Sequence, residues 1–464
     1  MLSLIIACAI SGCSSGTGDT SSIGSDKVLS AAATKGSLQG HASGFVDVDG
    51  DGIDDMVVTA PYANSPSGLG LALVYTGGVN GFSTSPVQVL NGGTNFGYDF
   101  VALGDVDGDG KADYAVSALN GSSDAVSLSG NISVFKGASN GQLLTTISGE
   151  TALDKFGYDL AAGDLNNDGI KEIIVGAPFN TPNGRPDLYQ GGAVYVYDFT
   201  AKQLNKLSAT SLNKGLGWKV AVGDINGDGI EDLVLTAAGK VLAYYGKSGF
   251  SPATDLPDVI ISSSAAGFGS TVSVVGDVDG DSYKDVAIST IYSYGTGVCS
   301  VHIVKGGIGS RSINLNAATS EVLTQINGES PLDAFGTTIV PVGDMENDGK
   351  EDFVVSAVHA DNDSFKATGK VYLFKGKDII SPTTPITAAS MFKGNAKDMH
   401  FGRFMAEFRK NGPKLLIGAP TESANTGGVY GVSLDGGQPL FQASSGGTTT
   451  TGESCCKVIA KGGR

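Results

Sequence analysis

A nine-residue acidic pattern recurs six times along this chain of 464 residues and limits the folds that the chain can adopt. The copies begin at Asp47, Asp105, Asp164, Asp224, Asp277 and Asp344, at intervals of 53 to 67 residues. Similarity at a nearly fixed period is typical of repeat architectures, in which each copy forms one supersecondary unit. A seventh unit starts near Phe401-Gly402 and ends at residues 415–420, without an acidic loop. The sequence therefore predicts one repeat array.

Every unit has the same order of segments. A Phe-Gly pair precedes the acidic loop in most units, Leu216-Gly217 replaces it in the fourth, and Leu38-Gln39 stands near that place in the first. The apolar runs around each loop are short, rich in β-branched and aromatic residues, and bounded by Gly, Asn and Asp. Such runs are typical of strands in hairpins, and no helical periodicity is sustained anywhere. The 69 glycines fit a chain with many tight turns.

Four antiparallel strands per unit make a blade, and a closed ring of blades leaves no long sheet edge exposed. The repeats therefore predict an all-β fold, a seven-bladed β-propeller with four-stranded antiparallel blades, over residues 28–443. A linear solenoid is the alternative, but it would need polar caps at both ends. We expect the ring to close near the termini, with residues 28–33 and 439–443 completing one blade.

The six acidic segments, named loops one to six in chain order, carry oxygen-bearing side chains at positions one, three, five and nine. Calcium takes six to eight oxygen ligands, and position seven adds a backbone carbonyl. Gly at position six allows the bend, and the acid at position nine could bind through both oxygens. The predicted ligands of up to six Ca²⁺ ions are Asp47, Asp49, Asp51, Ile53 and Asp55; Asp105, Asp107, Asp109, Lys111 and Asp113; Asp164, Asn166, Asp168, Ile170 and Glu172; Asp224, Asn226, Asp228, Ile230 and Asp232; Asp277, Asp279, Asp281, Tyr283 and Asp285; and Asp344, Glu346, Asp348, Lys350 and Asp352.

Of two other interpretations of these loops, the sequence excludes a helix–loop–helix calcium motif and leaves a metal-free hairpin open. A helix–loop–helix calcium motif needs Glu at position twelve, where this chain has only Val, Leu or Ile. Asp-Gly-rich turns also form hairpins without any metal. Ser282 replaces Gly in loop five and Glu346 is a longer arm in loop six, while Asn166 and Asn226 lower the charge of loops three and four. We expect loops three, four and six to bind calcium more weakly than loops one and two, and loop five to depart from the pattern at its turn.

Phe-Gly, then the Asp loop, then Gly-Ala-Pro, as in Phe156-Gly157, residues 164–172 and Gly176-Ala177-Pro178, resembles the FG-GAP repeat. Such repeats build the propeller of integrin α subunits and occur in many bacterial surface proteins. The resemblance implies calcium at the loop positions given above, on one face of the ring. It also implies a partner, an extracellular protein or a glycan, on the opposite face.

Loops on that opposite face carry side chains suited to partner binding. The candidates are Arg185, Asp187 and Tyr189 in one loop and His359 and Asp361 in another. Arg and aromatic residues on a rigid scaffold are frequent at binding surfaces. The alternative is that each is an ordinary solvated loop residue.

The N-terminus resembles a bacterial lipoprotein signal. Residues 2–10 form an apolar run too short to span a bilayer, followed by Ile10-Ser11-Gly12-Cys13. We expect a signal peptide over residues 1–12, lipidation of Cys13, a flexible tether over 13–27 and a disordered low-complexity tail over 444–464. The chain would then be exported, as an outer-membrane lipoprotein that is periplasmic or at the cell surface, and would meet the membrane only through its lipid. A chance apolar N-terminus is the alternative.

The formal charge of −17 argues against nucleic acid, which needs clustered Lys and Arg. The sequence favours a calcium-binding, integrin-α-like adhesion module; the alternative is a polysaccharide- or lipid-processing hydrolase or lyase that uses the propeller as a scaffold. No catalytic residues are predicted, because the four His show no metalloprotease spacing. The Gly-x-Ser-x-Gly match at 137–141 lies between two strands, whereas a nucleophile elbow joins a strand to a helix.

Overall fold

A computed structural model describes residues 26–29 and 40–434, apart from 66–67, 79–80, 84, 123–125, 127, 138–140, 183–188, 211–213, 292–296, 318, 363–365, 380–387, 395–396, 409–413 and 422–427. The predicted signal peptide, Cys13, most of the tether and the tail at 444–464 lie outside these residues. The division of the chain into those segments therefore stays a prediction.

The described residues form 29 strands. In the first half these are β1 Asp26–Leu29, β2 Ser43–Val46, β3 Asp55–Ser65, β4 Gly68–Tyr75, β5 Gln88–Leu90, β6 Phe96–Gly104, β7 Asp113–Ala118, β8 Asn131–Phe135, β9 Leu143–Ser148, β10 Leu160–Gly163, β11 Glu172–Ala177, β12 Ala193–Asp198, β13 Gln203–Ser208, β14 Val220–Gly223 and β15 Asp232–Ala237. In the second half these are β16 Lys240–Tyr244, β17 Val259–Ser262, β18 Phe268–Gly276, β19 Asp285–Thr290, β20 Ser300–Val304, β21 Arg311–Asn314, β22 Val322–Asn327, β23 Phe335–Gly343, β24 Asp352–Ala357, β25 Lys370–Phe374, β26 Ser390–Lys393, β27 Phe404–Phe408, β28 Lys414–Gly418 and β29 Val429–Ser433.

Helical structure is nearly absent from the described part of the chain, where the helix that is assigned is a 3₁₀ turn at Gly376–Asp378. No helix there is long and apolar enough to cross a membrane. Consecutive strands pair mostly antiparallel, as hairpins, which agrees with the all-β prediction.

The first strand of each unit lies on the inside of a ring. β2 contacts β6, β6 contacts β10, and the series continues through β14, β18, β23 and β27. β27 also contacts β2, so the ring is closed. β1 pairs antiparallel with β29, so a strand from near the N-terminus completes the last sheet. The architecture is therefore an all-β propeller.

The prediction of seven four-stranded blades is wrong. The described residues form five separate sheets of blade size, four with four strands and one with five, and a further sheet of eight strands, β2 to β9. Two contacts between units explain the difference. Gly70 of β4 pairs in parallel with Phe96 of β6 and so joins two units into one sheet. β21 pairs in parallel with β17, which adds a fifth strand to the sheet of the preceding unit.

The second strand of each unit is the most buried. All six residues of β7, β11, β15, β19 and β24 are buried, which explains why their sequences are nearly continuous apolar runs after the leading acid. The apolar cores lie between neighbouring units. One of them combines Ile132 and Val134 of β8 with Phe156, Val175 and Tyr195 of the next unit.

The Phe-Gly pairs fix where each inner strand begins. Phe156 is fully buried, and Gly157 has a φ of 91° and donates its N–H to the carbonyl of Gly176. In the first unit Gly40 takes this role, with a φ of 77° and an N–H bond to the carbonyl of Thr59. The first unit therefore keeps the glycine of the motif, one residue after Leu38-Gln39.

Candidate metal centres

Each acidic loop connects the first strand of its unit to the second. The connections are β2 to β3, β6 to β7, β10 to β11, β14 to β15, β18 to β19 and β23 to β24. Because the first strands lie side by side in the ring and each runs toward its loop, the six loops are at one end of the propeller. The residues that follow the Phe-Gly pairs are at the other end.

The Asp at position one organises the turn of its loop. Asp47 Oδ1 accepts the N–H groups of Gly50 and Asp51, at 2.8 and 3.1 Å, and Oδ2 accepts that of Gly52 at 2.8 Å. The same three bonds recur at Asp105, Asp224 and Asp277, and two of them recur at Asp164 and Asp344. These hydrogen bonds by themselves hold the chain in a tight turn.

Position six adopts a left-handed backbone conformation in all six loops. The glycines there have φ angles of 80° to 88°, and Ser282 of loop five has 78°. Loop five thus keeps the turn although its residue has a side chain. Such a conformation costs an L-residue about 1–2 kcal/mol relative to Gly.

The acid at position nine is buried and ties the two ends of the loop together. Asp55 Oδ2 accepts the N–H of Val48 at 3.0 Å, and Oδ1 accepts that of Gly77 at 2.7 Å. Four other loops repeat this pair of bonds, through Asp113, Asp232, Asp285 and Asp352. Both oxygens of these acids therefore already accept a hydrogen bond, and the remaining lone pair is what each could offer to a metal. Asp232 Oδ2 is the exception, because it also accepts the N–H of Asn226 at 3.2 Å.

Burial raises the pKa of these position-nine acids. The pKa of Asp55 is raised to about 6, those of Asp232 and Asp285 to about 7, and that of Glu172 to about 8. Removal from water disfavours the charged form, and the other acids of each loop add to the effect. A cation beside these acids would favour their charged form and so lower their pKa.

Carboxylates converge in four of the six loops. In each, three acids place one oxygen apiece within 4.8 Å of the others. These groups are Asp47, Asp49 and Asp55; Asp105, Asp107 and Asp113; Asp168, Glu172 and Asp198; and Asp277, Asp279 and Asp285. The donors are all carboxylate oxygens, which suit a hard cation such as Ca²⁺. Loops four and six show no such three-acid group among the residues that the structure describes.

Sequence reasoning missed Asp198 of the loop-three group. It lies at the end of β12, 26 residues beyond Glu172, and only the pairing of β11 with β12 brings the two together. The sequence did contain a sign of this role, because three other units have a charged residue, Lys, at the corresponding position at the end of the third strand.

Those lysines contact the acids of their own loops. Lys136 pairs with Asp107, and Lys375 pairs with Glu346. Lys305 pairs with Asp279 and lies 3.5 Å from Asp281. Loops two, five and six therefore contain an ammonium group next to the position-three carboxylate.

The predicted partner-binding residues have different surroundings. Arg185 and Asp187 lie outside the described residues. Tyr189 is 75% exposed, and the ring of His359 lies against that of His400, with centroids 5.1 Å apart. Asp361 pairs with Lys366 and accepts the N–H of Ala367 at 2.9 Å, so it stabilises its own turn.

The end of the ring opposite the loops carries a continuous row of rings that sequence reasoning did not single out. Three of its members, Tyr98, Tyr158 and Trp218, directly follow the glycine of a Phe-Gly or Leu-Gly pair. Neighbouring ring centroids are 4.7 to 6.4 Å apart. This aromatic row consists of Tyr62, His41, Tyr98, Tyr158, Trp218 and Phe179, in that order.

Comparisons with known proteins agree with this fold. A model described as the FG-GAP repeat matches residues 156–197, and one described as the FG-GAP-like repeat matches residues 47–116 and 224–288. Human integrin alpha-6 is 35% identical over 152 residues, which are 31% of this chain and 13% of that protein. Human integrin alpha-IIb is 28% identical over 225 residues, and integrin alpha-V of Gallus gallus is 26% identical over 223; each match covers 44% of this chain and 20% of the relative.

The matched region thus spans a fifth or less of the length of these relatives. The repeats, the position of the acidic loops and the closed ring of sheets agree with one another. This chain is an integrin-α-like β-propeller built from FG-GAP repeats.

Proposed function

We propose that this chain is a calcium-binding module that binds an extracellular partner at a cell surface. The observation that carries the metal part is the convergence of three carboxylates within 4.8 Å in each of four loops. Like charges so close raise the free energy of the folded protein unless a cation or protons neutralise them. A divalent cation would remove that repulsion.

Calcium fits these loops better than magnesium. The donors come from a flexible turn of carboxylates with a backbone carbonyl at position seven, and calcium accepts irregular shells of six to eight oxygens, whereas magnesium demands a near-ideal octahedron. In loop one the holders would be Asp47, Asp49, Asp51 and Asp55 with the carbonyl of Ile53. The ion would supply charge neutralisation and rigidity at the turn between an inner strand and a buried second strand.

We place the partner on the aromatic row. Trp218 and Tyr62 are 40% and 38% exposed, and both belong to one continuous row of rings. Aromatic side chains dominate binding energy at protein interfaces and also stack on sugar rings. The predicted loop residue Tyr189 follows Phe179, the last ring of the row, by ten residues. Because Tyr189 is 75% exposed, we include it in the proposed surface.

The single tryptophan of the chain, Trp218, lies in the aromatic row and can serve as a fluorescent probe of this surface. Trp218 packs edge-on against Tyr158 and Phe179, at centroid distances of 5.1 and 5.3 Å. We expect a partner to change the fluorescence of Trp218 on binding. The full chain would be screened against glycans and matrix proteins, with calcium and with a chelator.

A matched pair of variants tests where a partner found in this screen binds. Y158A removes a ring of the row and is expected to weaken binding at least tenfold, about 1.4 kcal/mol. K247Q changes a residue just beyond β16, at the end of the ring where the acidic loops lie, and is expected to leave partner affinity unchanged. Equal affinity in Y158A and the wild type would reject the aromatic row as the binding surface.

The membrane link is proposed to be a lipid on Cys13. Expression of the wild type and of C13S in bacteria fed a labelled fatty acid tests this directly. Label in the wild type and its loss in C13S is the expected result. An unlabelled wild type, or a C13S variant that still carries label, would reject lipidation at Cys13.

A further inference from the structure

One position beside each acidic loop varies in charge from unit to unit. On the third strand of each unit, one residue pairs with loop position ten: Phe135 pairs with Tyr114, and Tyr197 pairs with Ile173. The position in question is the residue directly after that one. We call it the rim position, because it lies next to the position-nine acid across the sheet. The rim residues of loops one to six are Thr76, Lys136, Asp198, Tyr245, Lys305 and Lys375.

The three rim lysines all reach a position-three acid. Lys136 and Lys375 pair with Asp107 and Glu346, and Lys305 pairs with Asp279. These lysine side chains are between 25% and 33% exposed, so they lie partly inside the loop surface. In each of these three loops the ammonium group therefore already pairs with one oxygen of the position-three carboxylate.

The rim residue of loop three has the opposite charge. Asp198 places an oxygen within 4.8 Å of oxygens of Asp168 and Glu172. Its Oδ1 accepts the N–H of Ala201 at 2.7 Å, which holds the carboxylate in place. Position three of this loop is Asn166, whose Nδ2 donates to Glu172 Oε1 at 2.7 Å.

In four of the six loops the rim residue therefore compensates for the charge at position three. Where position three is an acid in loops two, five and six, the rim is a Lys. Where position three is Asn in loop three, the rim is an Asp. Loops one and four have the uncharged rim residues Thr76 and Tyr245. Calcium affinity in protein loops follows the number of charged ligands, so this pattern bears on each site.

We infer that Asp198 is a calcium ligand of loop three and that Lys136, Lys305 and Lys375 are built-in counter-ions that calcium must displace. This inference rests on the proposed binding of calcium by the loops. It replaces the expectation that Asn166 weakens loop three, because Asp198 supplies the missing carboxylate. Loop three is then a tight site, and loops two, five and six are weak sites that stay charge-balanced without calcium.

The lysines give those loops a second stable state. An ammonium between the carboxylates neutralises one charge when calcium is scarce, so the apo loop avoids the repulsion that loop one would suffer. When calcium binds, the lysine has to move toward solvent, and the exchange subtracts the energy of the ion pair from the binding free energy. Removing the lysine should therefore tighten calcium binding and destabilise the apo protein.

Calcium titration of the full chain by isothermal calorimetry, after removal of metal with a chelator, tests the inference. D198N is expected to weaken one tight site about tenfold or more, because a charged ligand is lost. D198E, which restores the charge, is expected to recover most of the affinity. K305Q and K136Q are each expected to tighten one weak site about tenfold, because calcium no longer displaces an ammonium. T76V alters an uncharged rim residue and is expected to titrate as the wild type.

The outcomes separate this inference from the proposed function. A wild type that takes up no calcium would overturn both. A wild type that binds calcium, with D198N or K305Q titrating as the wild type does, would overturn the rim inference alone. Thermal unfolding in chelator gives a second measure, in which K305Q is expected to unfold at a lower temperature than the wild type. K305Q keeps the inference open to test even if D198N fails to fold.

Discussion

Asp159 Oδ2 accepts the backbone N–H of Val220 at 2.8 Å, and its Oδ1 lies 2.5 Å from Nζ of Lys219. The two partners belong to the next unit of the ring, 60 and 61 residues along the chain. Asp99 makes the same bond to Leu160 one unit earlier, also at 2.8 Å. Each acid follows the glycine of its Phe-Gly pair by two residues. The motif therefore positions an acid that ties one inner strand to the next.

Removing this tie should destabilise the ring. Asp159 is buried, whereas the Lys219 side chain is 35% exposed, so the pair is only partly shielded from water. D159N weakens the charged hydrogen bond to Val220 and removes the charge opposite Lys219, and we expect it to cost about 2 kcal/mol. Urea unfolding at a fixed calcium concentration measures the free energy of unfolding. K247Q breaks the more exposed pair of Lys247 with Asp255 and is expected to cost less than about 1 kcal/mol. Similar losses in the two variants would contradict the role given to Asp159.

Asp99 should make stability depend on pH. Burial and the nearby charge of Asp159 raise its pKa from 3.8 to about 7. Between these values the folded state holds a proton that the unfolded state has lost, so the free energy of unfolding falls as pH rises through this window. D99N stays neutral and lacks this dependence.

The comparison is made between the wild type and D99N in chelator, from pH 4 to pH 8. The difference in free energy of unfolding, wild type minus D99N, is expected to decrease up to about pH 7 and then to level off. The acids of the loops titrate in both proteins, so their contribution cancels when one free energy of unfolding is subtracted from the other. Parallel pH profiles would show that Asp99 has an ordinary pKa.

Ser282 should be replaceable by Gly with a gain in stability. Its φ of 78° is the conformation that Gly adopts in the other five loops. S282G is expected to raise the free energy of unfolding by about 1 kcal/mol, because Gly avoids the backbone strain. N347G is the control, since Asn347 has a φ of 56° but Asn tolerates this region. A larger gain in N347G than in S282G would contradict the explanation by strain; both are measured by thermal unfolding in chelator.

Gly70 should tolerate no side chain. A Cβ there would lie 2.2 Å from the carbonyl oxygen of Phe96, at the pair that joins β4 to β6. G70A is expected to cost about 3 kcal/mol, because a backbone must move. Gly249 also has a positive φ, 74°, but a Cβ there meets nothing within 4 Å. G249A should cost about 1 kcal/mol from backbone strain alone, and equal losses in urea unfolding would reject the contact at Gly70.

The sequence predicted local structure better than the connections between units. Strands around the loops, the buried phenylalanines of the Phe-Gly pairs and the turn of loop one all follow from residues close together in the chain. The number of sheets did not follow, because it depends on whether Gly70 reaches Phe96 and whether β21 returns to β17. The role of Asp198 was missed for the same reason, since its neighbours in space are far away in sequence.

The pairing of β1 with β29 has a consequence for the order of folding. During synthesis β1 emerges among the first strands, but its partner ends at Ser433. Hairpins such as β11 with β12 have both strands available as soon as residue 198 is made, whereas the sheet of β1 and β29 has to wait for Ser433. Contacts between distant residues form slowly, because a long loop must close first. A ribosome that stalls before Ser433 would therefore release a row of folded units with two open edges, a species that exposes strands to pairing with other chains.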